Sequence, residues 1–296
     1  MSWPFWALFA LAAAGLAVLF RHMRRIEPER VEVVHRTVHS EDLPPELDGF
    51  VICHISDLHI TSDPRNSGAV ADAIRSVRAD LYAITGDLIH GPRGVSALAG
   101  WLDDLEGTIA PAVAVLGNAE HKRRVNTRAL RQELHARGIR VLINECDVLR
   151  LGEVELQVVG LDDPHSGHSR AAAAFSTAEP SRWTLVLVHS PEGVLEFDGR
   201  RADLVLAGHT HGGQILLPGI GWVSDHTHNR VGLISGYYSA EDLAIAAGLS
   251  RGPRALYVSR GLGTSGWPLR LRCRPELPVL TLRRGRETGP TSEASA

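Results

Sequence analysis

The chain has 296 residues, of which 44% are hydrophobic and 22% are charged, and its formal net charge is −3. This length suits one large globular domain or two small ones. The near-neutral charge argues against a nucleic-acid partner, which would require a strongly basic surface. The three cysteines, Cys53, Cys146 and Cys273, include no CxxC pair. Such a set argues against a disulfide framework and fits a reducing compartment.

The chain begins with an uninterrupted apolar run over residues 3–20, and the basic residues Arg21, Arg24 and Arg25 follow at once. The run has about the minimum length for a membrane-spanning helix. It lacks the basic leader and the clear cleavage site of a secretory signal peptide. We therefore expect residues 1–25 to form a single anchor in the inner (cytoplasmic) membrane, with the folded domain in the cytoplasm by the positive-inside rule. A cleaved or re-entrant segment is the alternative.

The segments on either side of the expected domain are polar. Residues 26–49 are charged and contain three prolines, which predicts a linker, and the partial alternation of residues 31–38 indicates an edge strand within it. Residues 283–296 lack apolar periodicity and are predicted to be a disordered tail.

Residues 50–282 are expected to form the folded domain, because apolar strands alternate there with amphipathic helices. This alternation is typical of an α/β core with buried strands. Helices are predicted at 69–78 and at 127–137, the second with Asn126 as its N-cap. Strands are predicted at 50–55, 81–85, 112–116, 154–160, 183–188, 203–207 and 255–258, and residues 141–159 read as two strands joined by a turn.

Five of these strands are each followed by a side chain that can bind a metal ion. Asp and Asn commonly start turns, so any one of these endings is ordinary. All five together are not explained by turn chemistry, and open α/β sheets bind ligands at the carboxyl ends of their strands. The candidate metal ligands are Asp57, His59, Asp87, Asn118, His189, His209 and His211.

These donors are oxygens and imidazoles without a thiolate, which suits Mn²⁺, Fe²⁺ or Zn²⁺. Seven donors are too many for one four-coordinate ion, but they suffice for two ions if one carboxylate bridges. Two cations about 3.5–4 Å apart stabilise the attacking and leaving oxygens of phosphoryl transfer. One residue separates His209 from His211, so their side chains would point the same way in an extended chain.

The order D-x-H, GD, GN, a lone His and GHxH, from Asp57 to His211, resembles the calcineurin-like metallophosphoesterases. The stretch GHTHGGQ at 208–214 resembles the membrane-associated bacterial subgroup, as do the stretches at 160–164 and 259–265. The resemblance implies a four-layer αββα sandwich, a mixed α/β fold, that binds two divalent ions. It assigns one ion to Asp57, His59, Asp87 and His211, and the other to Asp87, Asn118, His189 and His209. Asp87 would bridge the two ions, and Asp87, Asn118 and His209 would be catalytic.

One position departs from the family motif, which is usually GNH followed by an acid. Here the sequence is Gly117-Asn118-Ala119-Glu120. The missing histidine normally donates a proton to the leaving group, and Ala119 cannot do so. Three explanations compete: the leaving group needs no proton, as in pyrophosphate cleavage; His121 substitutes; or the chain is a weakened enzyme or a metal-dependent binder.

The anchor and the absent proton donor favour a lipid-linked pyrophosphate substrate, and the resemblance points to UDP-2,3-diacylglucosamine of lipid A synthesis. The alternatives are a phospholipid or general phosphodiesterase, and a non-catalytic, membrane-bound metal-binding protein. Arg123, Arg260 and His121 are the candidate substrate-binding residues, because cations recognise phosphate. The segment 222–254 is either an ordinary surface insertion with a short helix or a cap that contacts an acyl chain or membrane. No protein partner is predicted.

Overall fold

The computed structural model describes residues 3–61, 66–223, 231–249 and 251–286. Within these ranges the strands form two six-stranded sheets and one two-stranded hairpin. The helices are α1 (Trp3–Arg21), α2 (Ser67–Arg75), α3 (Gly94–Asp103), α4 (Thr127–Ala136), α5 (Ala171–Ala174) and α6 (Ala240–Ala247).

The first sheet has the order β1-β14-β2-β3-β4-β5. Neighbouring strands run parallel except for the antiparallel pair of β14 and β2. Its strands are β1 (Glu32–Ser40), β2 (Val51–Ile55), β3 (Leu81–Thr85), β4 (Ala112–Val115), β5 (Ile139–Val141) and β14 (Glu276–Arg284).

The second sheet has the order β12-β13-β9-β8-β7-β6, parallel at its centre and antiparallel at both edges. Its strands are β6 (Glu145–Leu151), β7 (Val154–Gly160), β8 (Thr184–Leu187), β9 (Leu204–Ala207), β12 (Gly236–Ser239) and β13 (Ala255–Val258). The hairpin consists of β10 (Leu216–Leu217) and β11 (Gly221–Trp222).

Three apolar clusters hold four layers together. Successive strand side chains point to opposite faces, so Ile52 packs between the two sheets while Cys53 packs under the helices. Helices α2, α3 and α4 cover the outer face of the first sheet, and α5 and α6 cover that of the second. The αββα sandwich expected from the resemblance is therefore confirmed.

Local sequence signals explain where α4 begins and ends. The Asn126 side chain accepts a hydrogen bond from the backbone N–H of Ala129 at 3.0 Å, which caps the helix. The helix buries Leu130 and Leu134 on one face, and Gly138 follows its end with a φ of 75°. The predicted N-cap is thus observed.

Helix α1 is apolar, and the rest of the chain leaves almost all of its side chains uncovered. Leu8 and Leu11 are both more than 70% exposed. It is long and apolar enough to cross a membrane. It continues into a π-helical turn (His22–Ile26) and a 3-10 turn (Glu27–Glu29). We call residues 22–29 the exit segment.

Two segments differ from the sequence expectation. Strand β1, in the predicted linker, pairs along its whole length with β14, which extends to Arg284 and so enters the predicted tail. Residues 287–296 lie outside the described residues. The segment 222–254 contains β12 and α6, and the buried Leu243 of α6 packs on the second sheet. The short helix of the first alternative is thus present, and sequence reasoning missed only that it packs on the second sheet.

Candidate metal centre

All seven predicted ligands meet at one end of the sandwich. They follow β2, β3 and β4 of the first sheet and β8 and β9 of the second. Six of them are buried, and the seventh, Asn118, is half-buried. The carboxyl ends of both sheets therefore contribute to one cluster, as the strand endings predicted.

One group of donors surrounds His59 and His211. Their Nε2 atoms lie 3.1 Å apart. His59 Nε2 lies 3.3 Å from Asp87 Oδ2, and His211 Nε2 lies 3.4 Å from Asp57 Oδ1. These four residues are the set that the resemblance assigned to the first ion.

The second group surrounds His189. Its Nε2 lies 3.1 Å from Asn118 Oδ1, 3.1 Å from His209 Nδ1 and 3.4 Å from Asp87 Oδ1. His209 Nδ1 lies 3.0 Å from the same Asn118 oxygen. Asp87 therefore faces the two groups with different carboxylate oxygens.

The donor atoms fit divalent metal ions. Metal–donor bonds of about 2.0–2.2 Å place neighbouring donors of one coordination sphere roughly 3.0–3.5 Å apart, and the observed separations of 3.0–3.4 Å fall in this range. The ligand atoms of Asp57, Asp87 and His189 also lie within 4.8 Å of one another. Divalent metal ions would account for this convergence of buried carboxylates and imidazoles.

Hydrogen bonds behind the donors fix their orientation. His189 Nδ1 lies 2.7 Å from the carbonyl oxygen of Thr85, which places the proton on Nδ1 and leaves the Nε2 lone pair facing the cluster. Ser56 Oγ donates to Asp57 Oδ2 at 2.6 Å, and the backbone N–H of Ala119 donates to Asp87 Oδ1 at 2.6 Å.

Glu120, the acid of the GNAE motif, is fully buried and acts on the backbone. Its carboxylate accepts hydrogen bonds from the backbone N–H groups of Asp87, Ile89 and Gly117 at 2.8–3.2 Å. Burial raises its pKa to about 7, and the nearby Asp87 adds to the rise. Glu120 therefore ties the loop after β4 to the loop after β3.

The backbone at the cluster is strained. Five of the seven ligands have φ between 46° and 70°: Asp57, His59, Asp87, His209 and His211. Side chains other than glycine rarely adopt this region, and such residues concentrate at functional sites. The expectation that His209 and His211 share an extended chain is therefore wrong, and the turn sends the two rings to different groups.

Two glycines are required by close approach. A Cβ at Gly117 would overlap Asp87 Oδ1 and the His189 ring, and a Cβ at Gly208 would overlap the side chains of Ser56 and Asp57. The glycine before each ligand in the GN and GH motifs thus makes room for ligands from other strands.

Burial and charge shift the pKa values of the cluster in opposite directions. Burial raises the pKa of Asp57 to about 6 and lowers that of His59 to about 4. Burial opposes ionisation of Asp87 too, but the adjacent His189 and His59 hold its pKa well below the usual value. The histidines thus stabilise the charge on Asp87, whereas burial opposes the charge on Asp57, which a nearby cation would favour.

The position of the missing proton donor is closed to solvent. Ala119 is fully buried. Two residues later, His121 Nε2 lies 2.6 Å from Asp162 Oδ1, and this hydrogen bond raises the pKa of His121. Asp162 thus orients a histidine.

Two further histidines lie beside the ligands. The His165 ring is 4.4 Å from that of His209, and the His90 ring is 5.9 Å from that of His59. Neither histidine was among the predicted site residues, although His90 follows Asp87 by three positions. His226 and His228 lie outside the described residues.

Arg123 and Arg260, the arginines predicted to bind substrate, differ in their exposure and in their ion pairs. Arg123 is exposed. Arg260 forms ion pairs with Glu276 and Glu32, so two carboxylates already occupy its guanidinium. Arg270 is fully buried and donates to the carbonyl oxygens of the loop that follows β13. Direct phosphate contact by Arg123 and Arg260 remains a prediction.

A four-layer αββα sandwich with seven convergent oxygen and imidazole donors defines a metal-dependent phosphoester hydrolase. The sequence model of the family described as calcineurin-like phosphoesterase matches residues 50–213, and the chain belongs to this family.

Three curated relatives cover most of the chain. It is 29% identical to the uncharacterized metallophosphoesterase YkuE of Bacillus subtilis, over 93% of this chain and 94% of the relative. It is 32% identical to the phosphodiesterase YaeI of Escherichia coli, over 89% and 92%. It is 26% identical to the UDP-2,3-diacylglucosamine pyrophosphatase LpxG of Chlamydia trachomatis, over 88% and 90%.

Proposed function

We propose that the protein is a binuclear metallohydrolase that cleaves a pyrophosphate bond in a lipid-linked substrate. The observation that carries the binuclear assignment is the position of Asp87. One of its oxygens lies 3.3 Å from His59 and the other lies 3.4 Å from His189. A single carboxylate shared by two donor groups is the arrangement that two adjacent cations need.

When bound, two divalent cations would lower the pKa of a water molecule and stabilise the charge that develops on the phosphoryl oxygens. The chain itself holds the donors in place. The carbonyl of Thr85 fixes the His189 ring, and the N–H of Ala119 fixes Asp87. Asp87, Asn118 and His209 would act as catalytic residues by placing the cations against the scissile phosphate.

Ala119 supports a pyrophosphate substrate. A phosphate monoester leaves without prior protonation, so its departure does not require the proton that histidine donates elsewhere in the family. The apolar α1 would hold the enzyme beside a lipid substrate. LpxG, a relative along most of the chain, is named for UDP-2,3-diacylglucosamine, which we propose as the substrate here.

We further propose that α1 anchors the protein in the cytoplasmic membrane with the sandwich in the cytoplasm. The exposed apolar helix and the basic residues that follow it support this orientation. The protein should sediment with membranes and resist high salt. Protease should cleave the sandwich in inside-out vesicles only.

The substrate is tested by incubating purified protein with Mn²⁺ and UDP-2,3-diacylglucosamine. We expect UMP and the acylated sugar phosphate, and Asp87→Ala should abolish their release. Asp72→Ala is the matched control, because Asp72 is an exposed carboxylate on α2. Release of neither product by the wild-type protein would refute this substrate.

A phosphodiesterase that cleaves single phosphate esters is the second candidate, and the His121–Asp162 pair favours it. An alcohol leaving group needs a proton, and the raised pKa of His121 keeps it protonated closer to neutral pH. Turnover of bis-p-nitrophenyl phosphate and of phospholipids, without release of UMP from the sugar nucleotide, would support this candidate.

A further inference from the structure

A groove of about 370 Å³ joins the metal centre to the exit segment. This volume lies within the range of about 300–1,000 Å³ that is typical of small-molecule sites. The groove is lined by the metal-ligand candidate His59 and also by Arg24 and Arg25. The exit segment therefore lines the same groove as one of the candidate metal ligands.

The exit segment is fixed against the sandwich. The backbone N–H of Arg270 donates to the carbonyl oxygen of Met23 at 2.9 Å, and that of Cys273 donates to Glu27 Oε1 at 2.7 Å. Glu27 is 5% exposed, and its other oxygen lies 2.8 Å from His22 Nε2. Hydrogen bonds on both sides thus set the position of Arg24 and Arg25 relative to the cluster.

The two arginines are available to an anion. Within the described part of the chain neither forms an ion pair, whereas Arg260 is occupied by two carboxylates. Glu29 also lines the groove, so among the described residues that line it two arginines face one carboxylate. Guanidinium groups bind phosphate through paired hydrogen bonds.

We propose that the groove is a subsite for a second phosphate group, which Arg24 and Arg25 hold while another phosphate group lies at the metal centre. The inference rests on the proposed hydrolysis of a pyrophosphate and deepens it, because it places the second phosphate of such a substrate. The same chemistry would also recognise the phosphate of an anionic lipid beside the substrate. In either case the anchor segment takes part in binding.

Binding of non-hydrolysable phosphonates to the full-length, Mn²⁺-loaded protein in neutral detergent tests the subsite by titration calorimetry. The wild-type protein should bind methylenediphosphonate more tightly than methylphosphonate. The double variant R24Q/R25Q should lose about tenfold in affinity for the diphosphonate and keep its affinity for methylphosphonate. R21Q/R30Q is the matched control, because both arginines are exposed, flank the exit segment and lie outside the groove.

The two sources of phosphate are separated by titrating dihexanoyl phosphatidylglycerol and dihexanoyl phosphatidylcholine. Loss of diphosphonate affinity in R24Q/R25Q assigns the subsite to the substrate, and loss of phosphatidylglycerol affinity alone assigns it to a lipid headgroup. If R24Q/R25Q matches R21Q/R30Q with every ligand, the subsite does not exist. Binding is measured without turnover, so failure to release UMP would refute the reaction and leave the subsite intact.

Discussion

Asp87 is the residue on which both donor groups depend, since its carboxylate oxygens face His59 and His189 separately. Asp87→Asn keeps the size of the side chain and removes the charge that holds two cations together. We expect bound metal to fall from two ions to one or none, and hydrolysis to fall at least about a hundredfold. Metal analysis and turnover of bis-p-nitrophenyl phosphate measure both effects.

The control for this prediction is Asp72→Asn, which makes the same change at an exposed position of α2. It should keep both ions and full activity. An Asp87→Asn protein with two ions and normal turnover would show that Asp87 does not bridge.

His121 and Asp162 give a prediction about pH. The hydrogen bond from Asp162 raises the pKa of His121, so Asp162→Asn should lower it. If protonated His121 is the acid for an ester leaving group, activity is lost as pH rises through this pKa. The basic limb of the pH–rate profile should therefore move to lower pH in Asp162→Asn. An unmoved limb would exclude His121 as the acid.

The candidate metal ligands were all identifiable from sequence because each follows an apolar strand, and parallel strands bring their carboxyl ends together. No local sequence pattern places Arg24, Arg25 or His90 near these ligands. They reach the groove through the packing of the exit segment and of the loop after β3, which depends on contacts distant in sequence. Arg260, in contrast, was predicted from sequence to bind substrate. Only the fold reveals that its guanidinium forms ion pairs with Glu276 and Glu32.

At the scale of elements, the exit segment is held by Glu27, whose buried carboxylate accepts from the backbone N–H of Cys273. Glu27→Ala would leave this donor unsatisfied. Hydrogen bonds to charged groups contribute about 1.5–3 kcal/mol. We therefore expect the free energy of unfolding, measured by urea denaturation, to fall by roughly this amount. Glu29→Ala, an exposed glutamate in the same 3-10 turn, should change stability little. Equal losses in the two variants would contradict a fixed exit segment.

Strand β1 shows the limit of reading elements from sequence. Partial alternation indicated an edge strand, but nothing local indicated that it pairs with β14, more than two hundred residues later, across nine residue pairs. Strands β3 and β7 were located to the residue. The apolar run of β3 ends at the turn that begins with Gly86, and that of β7 is bounded by the turn at 151–153 and by Asp162 and Asp163. Strand β12 escaped notice because its residues are only half-buried at a sheet edge.

This pairing predicts how the chain can be shortened. A protein that begins at residue 22 keeps β1 and the exit segment and should fold, with a cooperative thermal transition and intact metal binding. A protein that begins at residue 50 exposes the edge of β14 and should aggregate or lose cooperativity. Cooperative folding and metal binding by the shorter protein would show that residues 26–49 are a dispensable linker.

At the scale of the whole molecule, neither sheet can form the metal centre alone. The first sheet supplies Asp57, His59, Asp87 and Asn118, and the second supplies the other three ligands. Folding therefore brings two buried carboxylates close together, which costs free energy unless cations neutralise them. Metal binding should thus stabilise the contact between the sheets as well as enable chemistry.

The pH dependence of this stabilisation follows from Asp57, because burial raises the pKa of its carboxyl group from its usual 3.8 to about 6. In metal-free protein its contribution to stability is greatest below the unfolded pKa and is lost as pH rises through about 6. His59, with its pKa lowered to about 4, acts in the opposite direction, but this effect is complete near its unfolded pKa of 6.5. At pH 8 both groups present free ligand atoms, whereas at pH 5.5 a cation must displace the proton on Asp57.

We therefore expect Mn²⁺ to raise the midpoint of thermal unfolding more at pH 8 than at pH 5.5. One site at a hundredfold excess over its Kd contributes about 2.7 kcal/mol, which corresponds to a shift of roughly 5–10 °C for a domain of this size. Calorimetry with Mn²⁺ and after chelation measures the shift, and Asp87→Asn should reduce it. Equal shifts at both pH values would mean that Asp57 does not bind the metal, because a ligand that must lose a proton makes metal binding weaken as pH falls.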